Sequence, residues 1–191
     1  MKPPGSLTVI CGPMYSGKSE ELIRLLRRAA IGGKTTILLR PNIDHRYNKK
    51  DLVSHAGSTH KAHAIEPVAE QIWANGQLFD VVGIDEIQFF GTHEDNTVEE
   101  MVNWLVDHGK EVIVSGLDMT YRREPFGCIP NLMAMADRVL KLDAVCHKCG
   151  GVATQTQRLV DDKPAPFSGP TIQVGGTDSY EARCRRCFEI G

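Results

Sequence analysis

Apolar residues recur along this chain in two patterns that alternate with each other. Short runs of β-branched and apolar residues predict buried strands, and longer segments in which apolar residues return every three or four positions predict helices. The predicted strands cover 7–11, 34–40, 61–65, 79–84, 111–116 and 138–142. One predicted helix begins after Ser19, and the others cover 67–75, 97–108 and 131–136. Strands that alternate with helices favour an α/β fold with a doubly wound parallel sheet.

A glycine-rich segment follows the first predicted strand and opens the first predicted helix. It reads Gly12, Pro13, Met14, Tyr15, Ser16, Gly17, Lys18 and Ser19, which fits the G-x-x-x-x-G-K-[ST] pattern of a phosphate-binding loop, or P-loop. In such a loop backbone N–H groups cradle phosphate oxygens, Lys18 reaches the β- and γ-phosphates, and the hydroxyl of Ser19 is placed for Mg²⁺. A chance match is the alternative, but the surrounding strand and helix favour binding of a nucleoside triphosphate.

Two acidic residues, Asp85 and Glu86, follow the strand predicted over 79–84. A P-loop protein places its second Mg²⁺-organising carboxylate at the end of such a strand, which makes Asp85 the candidate. Glu86 lies one residue further along, where ligands of open α/β sheets bind, and could take a proton from an attacking hydroxyl or water. An exposed Asp-Glu turn without a catalytic role is the alternative.

The polar segment 42–57 lacks a steady period, and we predict a loop that carries function. It contains Asp44 and Arg46, and an arginine near a P-loop pairs bidentately with phosphate oxygens. A solvated surface pair is the other interpretation.

Three aromatic residues are predicted to lie at the same edge of the sheet as the P-loop. Phe89, Tyr121 and Phe126 all follow predicted strands, and a cluster of aromatic rings at that edge could stack a flat base. For each ring taken singly, ordinary core packing remains the alternative.

Four cysteines form two C-x-x-C pairs, Cys146 with Cys149 and Cys184 with Cys187. Two knuckles at this spacing supply four thiolates to one tetrahedral Zn²⁺, and because no coordination position stays open we predict a structural metal. We therefore predict a P-loop ATP-binding domain over 1–142 and a small zinc-ribbon domain over 143–191. Within the second domain, residues 160–176 are rich in turn formers and predict a long lid loop over the substrate, with a disordered linker as the alternative.

Composition limits the partners. The 191 residues carry a net charge of −2, which offers no general attraction to nucleic acid or an anionic membrane, although a local basic patch would escape such a count. No apolar run has the length of a membrane span, and the segment before the first strand does not resemble a signal peptide. We expect a cytoplasmic protein with a small-molecule partner, whose cysteines are thiols or metal ligands instead of disulfides.

Together these residues resemble the zinc-containing type II thymidine kinases, from the first strand to Cys187. The matching segments are GPMYSGKS (12–19), DHRY (44–47), IDEIQFF (84–90), GLDMTY (116–121), PFG (125–127) and the stretch from Val174 to Tyr180. The resemblance implies ATP-dependent transfer of the γ-phosphoryl group to the 5′-hydroxyl of thymidine, with deoxyuridine also accepted, in the salvage of DNA precursors.

The resemblance also implies roles for single residues. Glu86 becomes the proton acceptor, Asp85 supports Mg²⁺ through water, and Arg46 steadies phosphate beside Lys18. The base is stacked on Tyr121 and surrounded by Met14, Leu117, Phe89, Phe126 and Thr156, with backbone contacts from Val174 and Gly175; Asp44 and Tyr180 are further substrate candidates, and Gln88 is a cofactor candidate. A homotetramer and feedback inhibition by thymidine triphosphate are implied in the same way.

The chain departs from the family pattern at three positions. Tyr15 and Tyr121 stand where the family often has Phe, and Ala56 stands where it commonly has Asp. A hydroxyl on the stacking ring of Tyr121 needs a hydrogen-bond partner.

Two other functions stay open at this stage. The first is a kinase for another deoxynucleoside. The second is a nucleic-acid-binding ATPase whose zinc ribbon grips phosphates with Arg183, Arg185 and Arg186.

Overall fold

A computed structural model of the chain describes residues 4–42, 51–53, 59–91, 96–171 and 179–191. At 51–53, 59–60 and 179 it describes the backbone alone. The strands up to residue 141 are β1 (Ser6–Cys11), β2 (Thr36–Pro41), β3 (Asp51–Val53), β4 (Thr59–Lys61), β5 (His63–Ile65), β6 (Val81–Ile84), β7 (Glu111–Gly116) and β8 (Arg138–Lys141). The helices are α1 (Lys18–Ile31), α2 (Ala69–Gly76), α3 (Thr97–Asp107) and α4 (Ile129–Met135).

Six of these strands form one sheet in the order β5-β2-β6-β7-β1-β8. Every neighbouring pair in it is parallel, which confirms the predicted doubly wound α/β fold. Because β6, β7 and β1 are neighbours, the segments that leave their carboxyl ends meet at one edge of the sheet.

Side chains alternate between the two faces of the sheet, as they do in any strand. Val9 belongs to the core under α2, α3 and α4, whereas Ile10 packs with Leu22 and Leu26 of α1. The periodicity of α1 therefore buries one face of this helix, and its first residue, Lys18, is placed at the carboxyl end of β1.

Gly83 allows α1 to pack closely on β6. A Cβ atom at this position would lie 2.7 Å from a methyl group of Leu26, which is closer than side-chain carbons approach one another. The absence of a side chain in β6 thus sets the distance between the helix and the sheet.

The segment after β2 differs in part from the prediction. The loop predicted over 42–57 is wrong at residues 51–53, which form β3 and pair with β4 in an antiparallel ladder. A short strand needs such a partner to form, and a local reading of the sequence does not reveal the partner. The strand predicted over 61–65 is divided between β4 and β5, and β5 alone joins the main sheet.

The C-terminal part is built from short antiparallel strands. They are β9 (Ala144–Val145), β10 (Val152–Ala153), β11 (Gln155–Val160), β12 (Lys163–Pro164) and β13 (Ser179–Arg183). β11 lies between β12 and β13. The prediction of a loop over 160–176 is therefore wrong at its start, because residues 163–164 form a strand that pairs with β11. The structure describes this segment as far as residue 171. No helix within the described ranges is long and apolar enough to cross a membrane.

Candidate active site

Segments from three neighbouring strands meet at the carboxyl edge of the sheet. The P-loop follows β1, Asp85 and Glu86 follow β6, and Leu117 follows β7. The fold therefore brings together three of the segments that the sequence singled out.

The P-loop turns sharply before α1. Gly12, Tyr15 and Gly17 have φ angles of 145°, 65° and 80°, and Gly17 is the N-cap of α1. Tyr15 is not a glycine, so its left-handed backbone is held at a cost by its surroundings. The loop presents the amino terminus of α1, a favourable position for an anion.

Lys18 is buried, and its Nζ donates a hydrogen bond to the carbonyl oxygen of Pro13 at 2.7 Å. Burial lowers the pKa of the Lys18 ammonium, and the negative charges of Glu86 and Asp85 oppose that shift. The lysine is thus folded across its own loop, within electrostatic range of both acids.

Asp85 is buried at the end of β6 and accepts hydrogen bonds from two serines. Ser19 Oγ donates to one carboxylate oxygen at 3.0 Å, and Ser115 Oγ donates to the other. Burial raises the pKa of Asp85, while these two hydrogen bonds act in the opposite direction. A hydroxyl and a carboxylate oxygen in contact are hard oxygen ligands of the kind that Mg²⁺ prefers.

Glu86 is half-buried and has a left-handed backbone with a φ angle of 52°. Its carboxylate accepts a hydrogen bond from the side-chain amide of Gln88. Burial and the charge of Asp85 raise the pKa of Glu86 above that of an ordinary glutamate. A raised pKa brings a carboxylate closer to the range in which it works as a general base.

Gln88 is buried and connects Glu86 to the segment after β7. Its Nε2 donates to Glu86, and its Oε1 accepts a hydrogen bond from the backbone N–H of Leu117 at 3.2 Å. A Cβ atom at Gly116 would lie 2.2 Å from Gln88 Oε1, so Gly116 is required for this contact. Gln88 therefore acts here as a positioning residue for Glu86, in a role that the sequence did not suggest.

We expect Gln88→Met to shift the acid limb of the pH–rate profile to higher pH and to lower kcat by about tenfold. Burial and the charge of Asp85 raise the pKa of Glu86, whereas the charge of Lys18 and the hydrogen bond from Gln88 lower it, so loss of that hydrogen bond raises the pKa further. The measurement is kcat/KM against pH.

Gln157→Met is the matched control for this change. Gln157 is also a buried amide that contacts backbone groups: its Oε1 accepts a hydrogen bond from Glu189 N–H at 2.9 Å, and its Nε2 donates to the carbonyl oxygens of Glu189 at 3.1 Å and Arg158 at 3.4 Å. None of these contacts involves Glu86. Gln157→Met should lower the free energy of unfolding without moving the acid limb of the pH–rate profile. If the acid limb of the pH–rate profile lay at the same pH in Gln88→Met and in the wild type, this would contradict the positioning role of Gln88.

The P-loop contacts the C-terminal strands. The backbone N–H of Met14 donates to Thr156 Oγ1 at 3.1 Å, and the hydroxyl of Tyr15 donates to the carbonyl oxygen of Tyr180 at 3.0 Å. The ring of Tyr15 also lies 5.2 Å from that of His147, centre to centre. Three residues predicted to surround the substrate, Met14, Thr156 and Tyr180, thus meet at the P-loop.

The predicted aromatic cluster is divided into two pairs. Phe89 and Phe126 pack edge to face with ring centres 5.7 Å apart. Tyr121 instead packs on Phe167, at 6.5 Å, and is only 5 % exposed. The sequence did not single out Phe167 because its position in a turn-rich segment gave no sign of where it packs.

The four cysteines of the C-x-x-C pairs lie together, with their sulfur atoms all within 4.8 Å of one another. Cys149 Sγ and Cys184 Sγ are 3.8 Å apart, and four sulfurs at the usual Zn–S bond length in a tetrahedron are about 3.8 Å apart. The donor set and spacing fit a structural Zn²⁺. Cys11 and Cys128 are buried elsewhere, where burial raises the thiol pKa to about 11 and about 12.

Several predicted site residues fall outside the described ranges. They are Asp44, Arg46, Val174 and Gly175, and Ala56 lies outside them as well. Ser115 is a site residue that the sequence reasoning missed. Its position near the carboxyl end of β7, beside the strand that carries Asp85, was the available signal.

The fold and this edge of the sheet define a P-loop nucleotide-binding protein. The family model described as thymidine kinase matches residues 5–188. The chain therefore belongs to the thymidine kinase family, and the four-cysteine cluster fits its zinc-containing type II form.

Two solved structures are similar to this chain to different degrees. One is the genome packaging NTPase B204 from Sulfolobus turreted icosahedral virus 2 in complex with ATP-gammaS, with 18% identity and a TM-score of 0.50 over 73% of this chain and 75% of that one. The other is the replication initiator DnaA bound to AMPPCP and single-stranded DNA, with 12% identity and a TM-score of 0.40 over 72% of this chain and 40% of that one. The likeness to the genome packaging NTPase supports the P-loop NTPase fold and carries no conclusion about function.

Proposed function

We propose that this protein is an ATP:thymidine 5′-phosphotransferase, which phosphorylates thymidine and deoxyuridine to their monophosphates. The family match carries the proposal, and the placement of Glu86 beside Lys18 and Asp85 supports it. In this role the protein is a cytoplasmic enzyme of deoxynucleotide salvage.

The donor side would be held by the P-loop. Backbone N–H groups at the start of α1 bind the phosphates, and Lys18 exchanges its contact with Pro13 for phosphate oxygens. Ser19 and Asp85 are the residues that would hold Mg²⁺, which screens the negative charge of the phosphates. Arg46 is proposed as a further phosphate ligand.

The acceptor side would be organised by Glu86. Ionised Glu86 takes the proton of the 5′-hydroxyl as the hydroxyl oxygen attacks the γ-phosphorus, the bond from that phosphorus to the β–γ bridging oxygen breaks, and ADP leaves. Gln88 holds the carboxylate of Glu86 in place. The thymine base would lie among Phe89, Phe126, Leu117, Met14 and Thr156, near Tyr121, with Asp44, Tyr180 and the backbone of residues 174–175 as further contacts. Phosphoryl transfer asks mainly for such positioning and charge stabilisation.

The proposed two-domain division at residues 142 and 143 fits this arrangement, with the donor site in the first domain and the Zn²⁺-held lid in the second. By the family resemblance we also propose a homotetramer and inhibition by thymidine triphosphate.

One of the three arginines on which the nucleic-acid-binding alternative depends is already paired within the protein. Arg183 Nε donates to the Glu181 carboxylate at 2.7 Å, and its Nη1 donates to the carbonyl oxygen of Cys187 at 3.1 Å. A guanidinium committed to an internal ion pair is a poor phosphate ligand. A salt-dependent shift of labelled DNA would restore this alternative.

The deciding experiment is an assay for the nucleoside monophosphate product with ATP and thymidine, deoxyuridine, deoxycytidine or deoxyadenosine. We expect product from thymidine and deoxyuridine, and none above background from the other two. Lys18→Met supplies the background, because it removes the amine that would reach the phosphates. The highest kcat/KM with another nucleoside, or ATP hydrolysis without a phosphorylated nucleoside, would overturn the proposed function.

A further inference from the structure

The described beginning of the lid is folded against the C-terminal strands. β12 pairs with β11, the backbone N–H of Ala165 donates to the carbonyl oxygen of Arg158 at 2.9 Å, and Gly169 N–H closes a turn onto Pro166 at 3.1 Å. We call residues 166–170 the lid turn. Its carbonyl oxygens need hydrogen-bond partners, and because Pro166 and Pro170 have no backbone N–H the turn itself offers few donors.

Three side chains supply those partners. The hydroxyl of Tyr121 lies 3.2 Å from the carbonyl oxygens of both Pro166 and Gly169. Arg122 donates to Gly169 through a terminal nitrogen, and Arg158 Nη1 donates to the carbonyl oxygen of Pro170 at 2.7 Å. Residues from the segment after β7 and from β11 therefore converge on one turn.

The hydroxyl of Tyr121 has a defined orientation. Arg122 Nε donates to the hydroxyl oxygen at 3.3 Å, so the single hydroxyl hydrogen is directed away from Arg122 and is shared between the two carbonyl oxygens. This is the partner that the extra hydroxyl needs, and a phenylalanine at this position would have no group to offer the lid turn.

Burial strengthens the arrangement. Tyr121 is 5 % exposed and Arg158 is 3 % exposed, and the guanidinium groups of Arg158 and Arg122 lie 5.2 and 5.5 Å from the centre of the Tyr121 ring. A hydrogen bond from a charged donor to a carbonyl is stronger away from water, and a cation over an aromatic face is attracted to it. The side chains that hold the lid turn are therefore buried, unlike those around a loose surface turn.

We propose that Tyr121, Arg122 and Arg158 form an anchor that fixes the lid turn and thereby sets the affinity for the acceptor nucleoside. The inference rests on the proposed function for its substrate. Tyr121 lies in the segment that begins with Leu117, which is itself held by Gln88, so the anchor connects the lid to the acceptor side of the site. Tyr121 acts here as a positioning residue through its hydroxyl, in addition to the stacking role that its ring has by resemblance.

The test is Tyr121→Phe, which keeps the ring and removes only the hydroxyl. We expect hydrogen exchange of the Gly169 amide to accelerate by about tenfold in the ligand-free protein, and the KM for thymidine to rise by about fivefold to tenfold. The KM for ATP should change by less than about twofold, because the donor side does not contact the lid turn through Tyr121. A merely destabilised protein would raise both KM values and all exchange rates together.

Two further variants sharpen the result. Tyr15→Phe is a matched removal of a tyrosine hydroxyl, from the exposed contact with Tyr180, and should leave the exchange of Gly169 unchanged. Arg158→Lys should accelerate the exchange of Gly169, and combined with Tyr121→Phe its effect should be less than additive because both hold one turn.

An unchanged exchange rate of Gly169 in Tyr121→Phe would overturn the anchor. Faster exchange with an unchanged KM for thymidine would overturn the link to acceptor affinity. If the wild-type protein phosphorylates no thymidine, the proposed function fails, and the exchange of Gly169 still decides whether the anchor exists.

Discussion

Glu86→Gln should lower kcat for thymidine phosphorylation by about 10²-fold to 10⁴-fold while ATP binding is retained. The amide has nearly the same shape as the carboxylate and its oxygen can still accept the hydrogen bond from Gln88. It cannot take a proton at neutral pH. Single-turnover kinetics together with ATP-binding titrations separate the two effects, and near-normal turnover would rule out the role given to Glu86.

The same variant should be more stable than the wild type in the absence of ligands. The folded-state pKa of Glu86 is raised by burial and by Asp85, so its contribution to stability is present below the ordinary pKa of glutamate and is lost as pH rises through the folded pKa. At pH 7 the ionised side chain is therefore a cost that glutamine removes. We expect a higher melting temperature at pH 7 and a smaller difference at pH 4.

Glu99→Gln provides the control for both measurements. Glu99 is another buried glutamate, in the first turn of α3, and its carboxylate accepts a hydrogen bond from Asn131 Nδ2 at 2.8 Å. Its substitution should leave turnover near the wild-type value. A loss of turnover in both variants would indicate that buried charge in general, and not a proton acceptor, is responsible.

Cys184→Ser should abolish stoichiometric zinc binding and unfold the C-terminal strands. Their core consists of Ala144, Cys146, Ala153 and Ala182, with Cys184 and Cys187 packed against it, so little apolar area remains to hold them without the metal. Structural Zn²⁺ contributes roughly 10 kcal/mol or more of binding free energy to small domains of this kind. In calorimetry we expect the unfolding transition of the C-terminal strands to disappear or to occur separately at a lower temperature. We also expect the KM for thymidine to rise by more than about tenfold.

Cys128→Ser is the matched substitution outside the cluster. The thiol of Cys128 donates to the carbonyl oxygen of Ile87 at 3.4 Å, and a serine hydroxyl keeps that contact. Zinc content and the KM for thymidine should stay at wild-type values. An unchanged melting profile and KM in Cys184→Ser would show that the zinc site is dispensable for the lid.

The donor half of the site was predictable because it is encoded in contiguous residues. The P-loop and Asp85 lie in short segments whose chemistry follows from local spacing, and their apolar strands are buried as the pattern indicates. The C-x-x-C pairs were predictable for the same reason. Parallel topology then placed Asp85 beside Ser19 without further information.

The acceptor half was harder to predict because its contacts join distant residues. β11 reads Gln-Thr-Gln-Arg-Leu-Val, and two of its buried polar side chains are satisfied by distant residues: Gln157 by Glu189 and Arg158 by Pro170. Hydropathy alone gives no sign of a buried strand there. The pairing of Tyr121 with Phe167 depends on the same long-range folding.

The missing side chain at Gly83 makes the edge of the sheet that carries the P-loop sensitive to a contact deep in the core. Leu26 lies against Gly83, and Lys18 begins the same helix eight residues earlier, about 12 Å along its axis. A methyl group at position 83 would force Leu26 to move, and because Leu26 is fully buried we expect α1 to take up part of that displacement. A displaced α1 would move Lys18 and Ser19 relative to Asp85, so Gly83→Ala should disturb the Ser19–Asp85 contact from within the core.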